Sequence, residues 1–235
     1  MIKKIFITGT DTGIGKTIVS GILLKKANEL GYKTAGYKPI SSGIKKRKMI
    51  SSVMQKKKKK YKFINQDAII LKENSSVILD YKEVNPISFS GNIPPHMMSL
   101  IQKKVIRKKD LSLGLRRISK KSNWILIEGA GGWYTPLSDR VSFSDWVKEE
   151  QLEIIFVVGI KLGCINHAIL TEKAILSENL TCLGWIANNI IPKNKYTSYY
   201  IQTLLSYIKS PLLGTIPYLK NIHSINFKKI KILVP

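Results

Sequence analysis

Residues 2–17, IKKIFITGTDTGIGKT, carry the clearest structural pattern of the chain. The first half is rich in β-branched and aromatic side chains, as in a strand, and it runs directly into a glycine-rich turn. Residues 17–30 then show the apolar spacing of a helix, which Gly31 ends in the C-cap position. A strand, a glycine-rich loop and a helix that opens with Gly-Lys-Thr form the context of a phosphate-binding P-loop. The stretch therefore predicts a nucleotide-binding α/β protein.

The residue types of this loop suit phosphate for physical reasons. Glycines let backbone N–H groups turn toward an anion, and the helix N-terminus adds positive potential. Lys16 can reach the β- and γ-phosphates of a nucleotide, and the Thr17 hydroxyl can ligate Mg²⁺. The loop departs from the common pattern in one respect. Five residues separate Gly9 from Gly15, so Thr10 takes the position of the usual first glycine.

The rest of the chain alternates strand and helix patterns. Residues 124–128 (WILIE), 154–158 (IIFVV) and 183–187 (LGWIA) are continuous apolar runs, which are typical of central strands in a parallel sheet. Helical patterns lie between them, and a length of 235 residues suits one large domain. We therefore predict one P-loop NTPase-like domain over residues 1–235, built on a doubly wound, mostly parallel α/β sheet.

The net charge of +24 invites a nucleic-acid-binding interpretation. Residues 45–62, KKRKMISSVMQKKKKKYK, hold ten basic residues and no acidic one, so the rest of the chain carries +14. That remainder is spread along the chain and is not gathered on one helix or beside aromatic residues. We interpret residues 45–62 as a basic surface loop inserted into the domain, enlarged by the codon bias of an A/T-rich genome, and we expect no nucleic-acid partner.

Membrane and extracellular classes of protein are disfavoured by the same composition. No apolar run approaches the about 20 residues that span a bilayer, and the N-terminus has no signal-peptide cleavage site. Cys164 and Cys182 are too few and too far apart for a disulfide framework or a metal knuckle. We expect a cytoplasmic protein without a membrane partner.

Two carboxylates are candidate Mg²⁺ ligands from their positions alone. Glu128 ends an apolar strand and precedes Gly129-Ala-Gly-Gly132, at the edge of the sheet where open α/β folds bind ligands. Asp67 lies in the first turn of a predicted helix, where it equally suits the helix dipole. Lys38 follows the second strand and precedes a proline. A lysine there can stabilise an anion, although a surface role is the simpler interpretation.

Six blocks together resemble the dethiobiotin synthetase family: GTDTGIGKT, GYKPISSG, EGAGGWYTPLSD, VVGIKLGCINHA, GWIANN and PLLGTIPYL. The resemblance covers most of residues 4–219, whereas residues 45–62 are longer and more basic than is typical and the tail after Leu219 matches poorly. It implies an ATP- and Mg²⁺-dependent ligase of biotin biosynthesis. Such an enzyme carboxylates 7,8-diaminononanoate with CO2 and closes a ureido ring through a phosphorylated carbamate.

The resemblance implies roles for the matching residues. Lys38 and Lys16 would be catalytic; Thr12, Lys38 and Ser42 would hold the diamine and its carbamate; Thr17, Asp67 and Glu128 would bind Mg²⁺. The residues that would bind ATP are Gly13, Ile14, Gly15, Lys16, Thr17, Ile18, Asp67, Glu128, Gly129, Ala130, Gly131, Asn188, Asn189, Pro217, Tyr218 and Leu219. Asn188 would read the adenine, while Asn189 stands where the family commonly has an aspartate.

The resemblance also implies a homodimer with shared active sites. Asn166 and Tyr200 would come from the neighbouring subunit to bind the carboxylate end of the diamine. The local pattern alone indicates only a helix that begins near Asn166, with this residue as its N-cap.

The sequence alone also permits two other classes of protein. A different P-loop ATPase, such as a partitioning-type switch or a cobyrinate-type amidoligase, would hydrolyse ATP without the diamine or would require glutamine. A nucleic-acid-binding module would bind DNA or RNA at moderate salt.

Overall fold

The computed structural model describes residues 2–48, 61–220 and 230–235, which contain both strands and helices. The strands are β1 (Lys3–Gly9), β2 (Thr34–Tyr37), β3 (Ile40–Ser41), β4 (Lys45–Lys48), β5 (Tyr61–Ile64), β6 (Ile87–Ser88), β7 (Trp124–Glu128), β8 (Glu153–Gly159), β9 (Cys182–Asn188) and β10 (Leu212–Ile216). The helices are α1 (Lys16–Glu29), α2 (Gln66–Glu73), α3 (Tyr81–Val84), α4 (Pro95–Ile101), α5 (Lys108–Ser119), α6 (Phe143–Glu149), α7 (Cys164–Ser177) and α8 (Thr197–Tyr207). None of the helices in these ranges combines the length and the apolar character that a membrane span needs.

A six-stranded sheet forms the centre of the molecule, in the order β10-β9-β8-β1-β7-β2. Every neighbouring pair in it is parallel. From β1 the chain moves to one edge to form β2, and from β7 it crosses back over β1 to form β8. Right-handed connections in opposite directions place helices on both faces of the sheet. The prediction of a doubly wound, mostly parallel sheet is confirmed.

The central strands are buried on both faces, which explains their continuous apolar runs. All five residues of β7 are buried, and so are the last five of β1. Within β7, Glu128 is a charged residue with no exposed surface. A carboxylate at such a position needs compensating partners, so its burial directs attention to this end of the sheet.

The basic segment 45–62 is not a loop at its ends. β4 and β5 form a two-stranded antiparallel sheet in which Lys45 pairs with Ile64 and Lys48 with Tyr61. The loop prediction is wrong there because backbone hydrogen bonds between two adjacent segments do not depend on apolar side chains, and a separate two-stranded ribbon can carry lysines. Residues 49–60 lie outside the described residues.

Candidate active site

The carboxyl ends of the central strands converge on one edge of the sheet. β1 ends at Gly9, β7 at Glu128, and β2 at Tyr37, directly before Lys38. A cavity of about 460 Å³ lies at this edge, and a second cavity of about 410 Å³ adjoins it. Both include Thr12 and Ser42 in their walls, so the two cavities form one site with two lobes.

The P-loop turns through two glycines in the left-handed region, with φ of 73° at Gly13 and 85° at Gly15. The carbonyl of Gly15 accepts the first helical hydrogen bonds of α1. A Cβ atom at Gly15 would lie 2.2 Å from Nδ2 of Asn188, so only glycine fits there. Asn188 in turn donates from Nδ2 to the carbonyl of Ile14 at 2.7 Å. The end of β9 therefore holds the P-loop in position.

Lys16 is 8% exposed and points its ammonium into the loop. Its Nζ donates to the carbonyl oxygen of Asp11 at 2.9 Å and to that of Gly131 at 2.5 Å. Burial, and then the nearby positive charge of Lys38, lower the pKa of Lys16 to about 8. Since backbone carbonyls only partly compensate its charge, this ammonium is suited to receive an anion.

Lys38 lies at the centre of a buried charge cluster. Its Nζ donates to Oε1 of Glu128 at 2.6 Å and to the carbonyl of Gly129 at 3.0 Å, and it lies 3.4 Å from Oδ2 of Asp67. The Thr17 hydroxyl donates to the same Oε1 of Glu128 at 2.9 Å. Burial acts to lower the pKa of Lys38, but the carboxylates of Glu128 and Asp67 outweigh it and raise that pKa. The Lys38 ammonium thus contacts the carboxylates predicted as metal ligands.

The donors in this cluster fit a magnesium ion. Oε2 of Glu128 is buried and has no hydrogen-bond partner among the described residues, which is unfavourable for a carboxylate oxygen unless a cation compensates it. In the same ranges no group of three or more His, Cys, Asp or Glu side chains is placed to hold a metal. A site of two carboxylates and one hydroxyl suits Mg²⁺, which typically takes its further ligands from water and phosphates.

The second lobe is lined partly by residues that the first lobe lacks. Ile93, Pro94 and Pro136 form an apolar wall in this lobe, which P-loop residues also line. Thr12 and Ser42 stand at the boundary between the lobes. A ligand that extends from the P-loop into this lobe would therefore meet both hydroxyl groups and apolar surface.

The predicted adenine-binding residues at the ends of β9 and β10 line neither cavity. Asn189 donates from its backbone N–H and from Nδ2 to the carbonyl of Ile216, at 3.0 and 2.7 Å. Its Oδ1 is buried and has no partner in the described part of the chain. Residues 217–219 follow directly after β10. The ends of β9 and β10 thus bring these predicted residues together beside Ile14.

Asn166 and Tyr200 also lie away from both lobes. The prediction that Asn166 is an N-cap is wrong, because α7 begins at Cys164 and Gly163 is its N-cap, with φ of 88°. A glycine in this conformation turns the chain into the helix earlier, so that Asn166 is the third helical residue and is exposed. Tyr200 lies on α8 and is half-buried.

Sequence reasoning missed one buried residue that positions Lys38. The Asn85 side chain donates from Nδ2 to the carbonyl of Lys38 at 2.7 Å. Its Oδ1 accepts from the hydroxyls of Ser41 and Tyr81, at 2.8 and 3.1 Å. The only local signal was an asparagine before a proline, which ordinarily indicates a turn.

Sequence reasoning also missed an ion pair across the P-loop. Nζ of Lys161, just after β8, lies 2.7 Å from Oδ2 of Asp11. A single lysine among the chain's 39 lysines and arginines carries no pattern that distinguishes it.

Known proteins resemble this chain in sequence over most or all of its length. The family model for the AAA domain matches residues 3–226 of this chain. The ATP-dependent dethiobiotin synthetase BioD of Buchnera aphidicola subsp. Acyrthosiphon pisum (strain APS) is 64% identical over 235 residues, which cover 100% of both chains. The ATP-dependent dethiobiotin synthetase BioD 1 of Escherichia coli (strain K12) is 47% identical over 219 residues, which cover 93% of this chain and 92% of the relative.

Solved structures share the fold at low identity. The MinC:MinD cell division protein complex of Aquifex aeolicus matches with a TM-score of 0.55 and 17% identity, over 93% of this chain and 82% of that chain. A putative plasmid partition protein of Borrelia burgdorferi bound to AMPPNP matches with a TM-score of 0.55 and 15% identity, over 98% of this chain and 94% of that chain. These likenesses establish a P-loop NTPase fold, and the full-length identities establish that the chain belongs to the ATP-dependent dethiobiotin synthetases, a family of ligases.

Proposed function

We propose that this enzyme makes dethiobiotin from 7,8-diaminononanoate, CO2 and ATP, as a step in biotin biosynthesis. The observation that carries the proposal is the placement of two buried lysines, Lys16 and Lys38, where a phosphate-binding loop meets a lobe with an apolar wall. The reaction brings two anions, a carbamate and a triphosphate, into contact. Positive charges held in advance at their meeting point are the main requirement of such a site.

In the first step, one amine of the substrate attacks CO2 and loses a proton, which forms a carbamate. Thr12 and Ser42 lie at the boundary of the lobes and would hold the diamine, while its hydrocarbon chain would lie against the apolar wall. Lys38 would donate to the carbamate oxygens. Orientation of the bound diamine by these groups converts an encounter between separate molecules into a step within one complex.

In the second step, a carbamate oxygen attacks the γ-phosphorus of ATP and ADP leaves. Lys16 would contact both the phosphates and the carbamate as their charges approach. The second amine then attacks the carbonyl carbon, the ureido ring closes, and phosphate leaves. Thr17, Asp67 and Glu128 would hold Mg²⁺, which when bound supplies further positive charge at the phosphates.

ADP release tests the proposed function. Wild-type protein is expected to release ADP only when the diamine and bicarbonate-derived CO2 are both present, with dethiobiotin formed in equal amount. Lys16→Ala is expected to lower this turnover by roughly 10²-fold or more, with an unchanged circular dichroism spectrum. ADP release that is independent of the diamine would support a different P-loop ATPase instead.

The metal proposal has a separate test in Glu128→Gln. The substitution removes the negative charge of a predicted ligand, so the Mg²⁺ concentration at half-maximal turnover is expected to rise. Glu149→Gln is the matched control, because Glu149 is exposed and pairs with Lys108 on the surface. An unchanged Mg²⁺ requirement in Glu128→Gln would remove Glu128 from the metal site.

We also propose that two copies share their active sites. Asn166 lines neither lobe of its own chain, yet it lies on an exposed surface with Leu162 and Leu170, which are 86% and 57% exposed. On α8, Tyr199 is 65% exposed. Exposed apolar side chains of this size support a protein–protein interface. A cytoplasmic location remains a prediction from the sequence.

A further inference from the structure

We propose that Lys161 is a positioning residue, which acts through Asp11 to hold the P-loop in the shape that aims Lys16 and Thr12. The proposal rests on the proposed function, because it assigns these two residues their tasks. The expected consequence is a loss of turnover, and not of nucleotide binding, when the pair is broken.

Asp11 connects the two functional residues in one contact network. Its Oδ1 accepts from the backbone N–H of Thr12 at 2.6 Å. Its own carbonyl oxygen accepts from Nζ of Lys16 at 2.9 Å. The orientation of this single residue therefore determines both the direction of the Thr12 backbone and the position of an acceptor for the Lys16 ammonium.

Lys161 is the side chain that holds Asp11 in this orientation. Its Nζ lies 2.7 Å from Oδ2 of Asp11, the oxygen that Thr12 does not use. The hydrogen bond from Lys161 is the largest influence on the Asp11 carboxyl and lowers its pKa, so this carboxyl stays ionised at neutral pH. The P-loop is thereby tied to the end of β8.

The backbone of Lys161 is itself well fixed. The preceding Ile160 donates its N–H to the carbonyl of Asn188 at 2.8 Å, and the carbonyl of Lys161 accepts from the N–H of Cys164 at 3.1 Å. These contacts join the ends of β8 and β9 to the first turn of α7. Lys161 therefore reaches the P-loop from a rigid base.

Partial exposure limits the size of the effect. The side chains of Lys161 and Asp11 are 36% and 39% exposed, so solvent screens their attraction and the fold should not depend on it. Small displacements of reacting groups, however, lower rates strongly. We expect loss of the pair to lower kcat by about three- to tenfold, with little change in the KM for ATP.

The test uses two substitutions that change the net charge in opposite directions. Lys161→Met removes a positive charge and Asp11→Asn removes a negative one, yet both are expected to lower kcat for dethiobiotin formation. The double variant is expected to be no worse than either single variant, because each alone already breaks the pair. Lys161→Arg is expected to keep most of the turnover, since a guanidinium can still bond the carboxylate.

Lys121→Met is the matched control, because Lys121 pairs with Glu83 at 2.6 Å on the surface and should leave kcat unchanged. Opposite effects of Lys161→Met and Asp11→Asn would show that only long-range charge matters and would overturn the proposal. Losses that multiply in the double variant, or a wild-type kcat in Lys161→Met, would overturn it as well.

A readout without turnover separates this proposal from the proposed function. In ¹H–¹⁵N spectra of the ligand-free protein, the Thr12 amide resonance is expected to move in Asp11→Asn and in Lys161→Met, and to stay in place in Lys161→Arg and Lys121→Met. An unmoved Thr12 resonance in Lys161→Met would contradict the positioning role, whether or not the wild-type protein makes dethiobiotin. If the Thr12 resonance moves in Lys161→Met but the wild-type protein makes no dethiobiotin, the positioning role stands and only the proposed function is refuted.

Discussion

Among single residues, the charge of Lys16 is unusually sensitive to its surroundings. Burial holds its pKa at about 8, well below the ordinary value of 10.5, so the ammonium is present below that pH and is lost as the pH rises through it. We therefore expect kcat/KM for ATP, which reports on the free enzyme, to fall above pH about 8. Bound phosphates favour the charged form, so kcat should fall only at higher pH. Initial rates measured from pH 6 to 10 check this, and a flat kcat/KM profile up to pH 9.5 would contradict it.

The P-loop and its neighbours illustrate what a sequence reveals at this scale. The glycine spacing of the P-loop predicted that Lys16 contacts phosphates and that Thr17 binds Mg²⁺, because all residues of this motif are neighbours in the sequence. The bond between Lys38 and Glu128 was not predicted, since it arises only when β2 and β7 become neighbours in the sheet. No periodic pattern along the chain encodes that order of strands.

Among the secondary-structure elements, the strands β4 and β5 mark the ends of a segment that can be shortened without removing either strand. Replacing residues 49–60 with a short Gly/Ser turn keeps both strands and the start of α2, which carries Asp67. Because loop-closure entropy depends weakly on length, the free energy of unfolding should change by only about 1 kcal/mol, and turnover should stay near the wild-type value. Chemical denaturation and ADP release measure the two quantities. A folded but inactive variant would assign a function to this segment.

Strand and helix prediction succeeded where burial determines the pattern of apolar residues and failed where a single backbone conformation decides. The run 124–128 coincides with β7, because burial on both faces demands continuous apolar residues. The start of α7 was misplaced, because Gly163 turns the chain in a left-handed conformation that an asparagine preference cannot reveal.

For the whole molecule, subunit complementation tests whether active sites are shared. Lys38→Ala and Asn166→Leu are each expected to be inactive alone. If Asn166 serves the neighbouring subunit, a mixed dimer contains one site with both lesions and one with neither. Mixing the two inactive proteins should therefore restore part of the activity. Light scattering and a subunit-exchange assay provide the controls. A monomer, or proven exchange without recovery, would rule the shared site out.

The position of the Lys38 ammonium has a consequence for how the thermal stability of the protein responds to a chelator. In Lys38→Met, the buried carboxylate of Glu128 would lose its only cationic neighbour within 4 Å among the described residues, at a cost to folding of about 3–5 kcal/mol. A divalent ion could take over that neutralising task. The variant should therefore become chelator-sensitive, with a much lower melting temperature in EDTA than in excess Mg²⁺. In the wild-type protein the Lys38 ammonium already neutralises this carboxylate, so EDTA should lower its melting temperature far less than that of the variant.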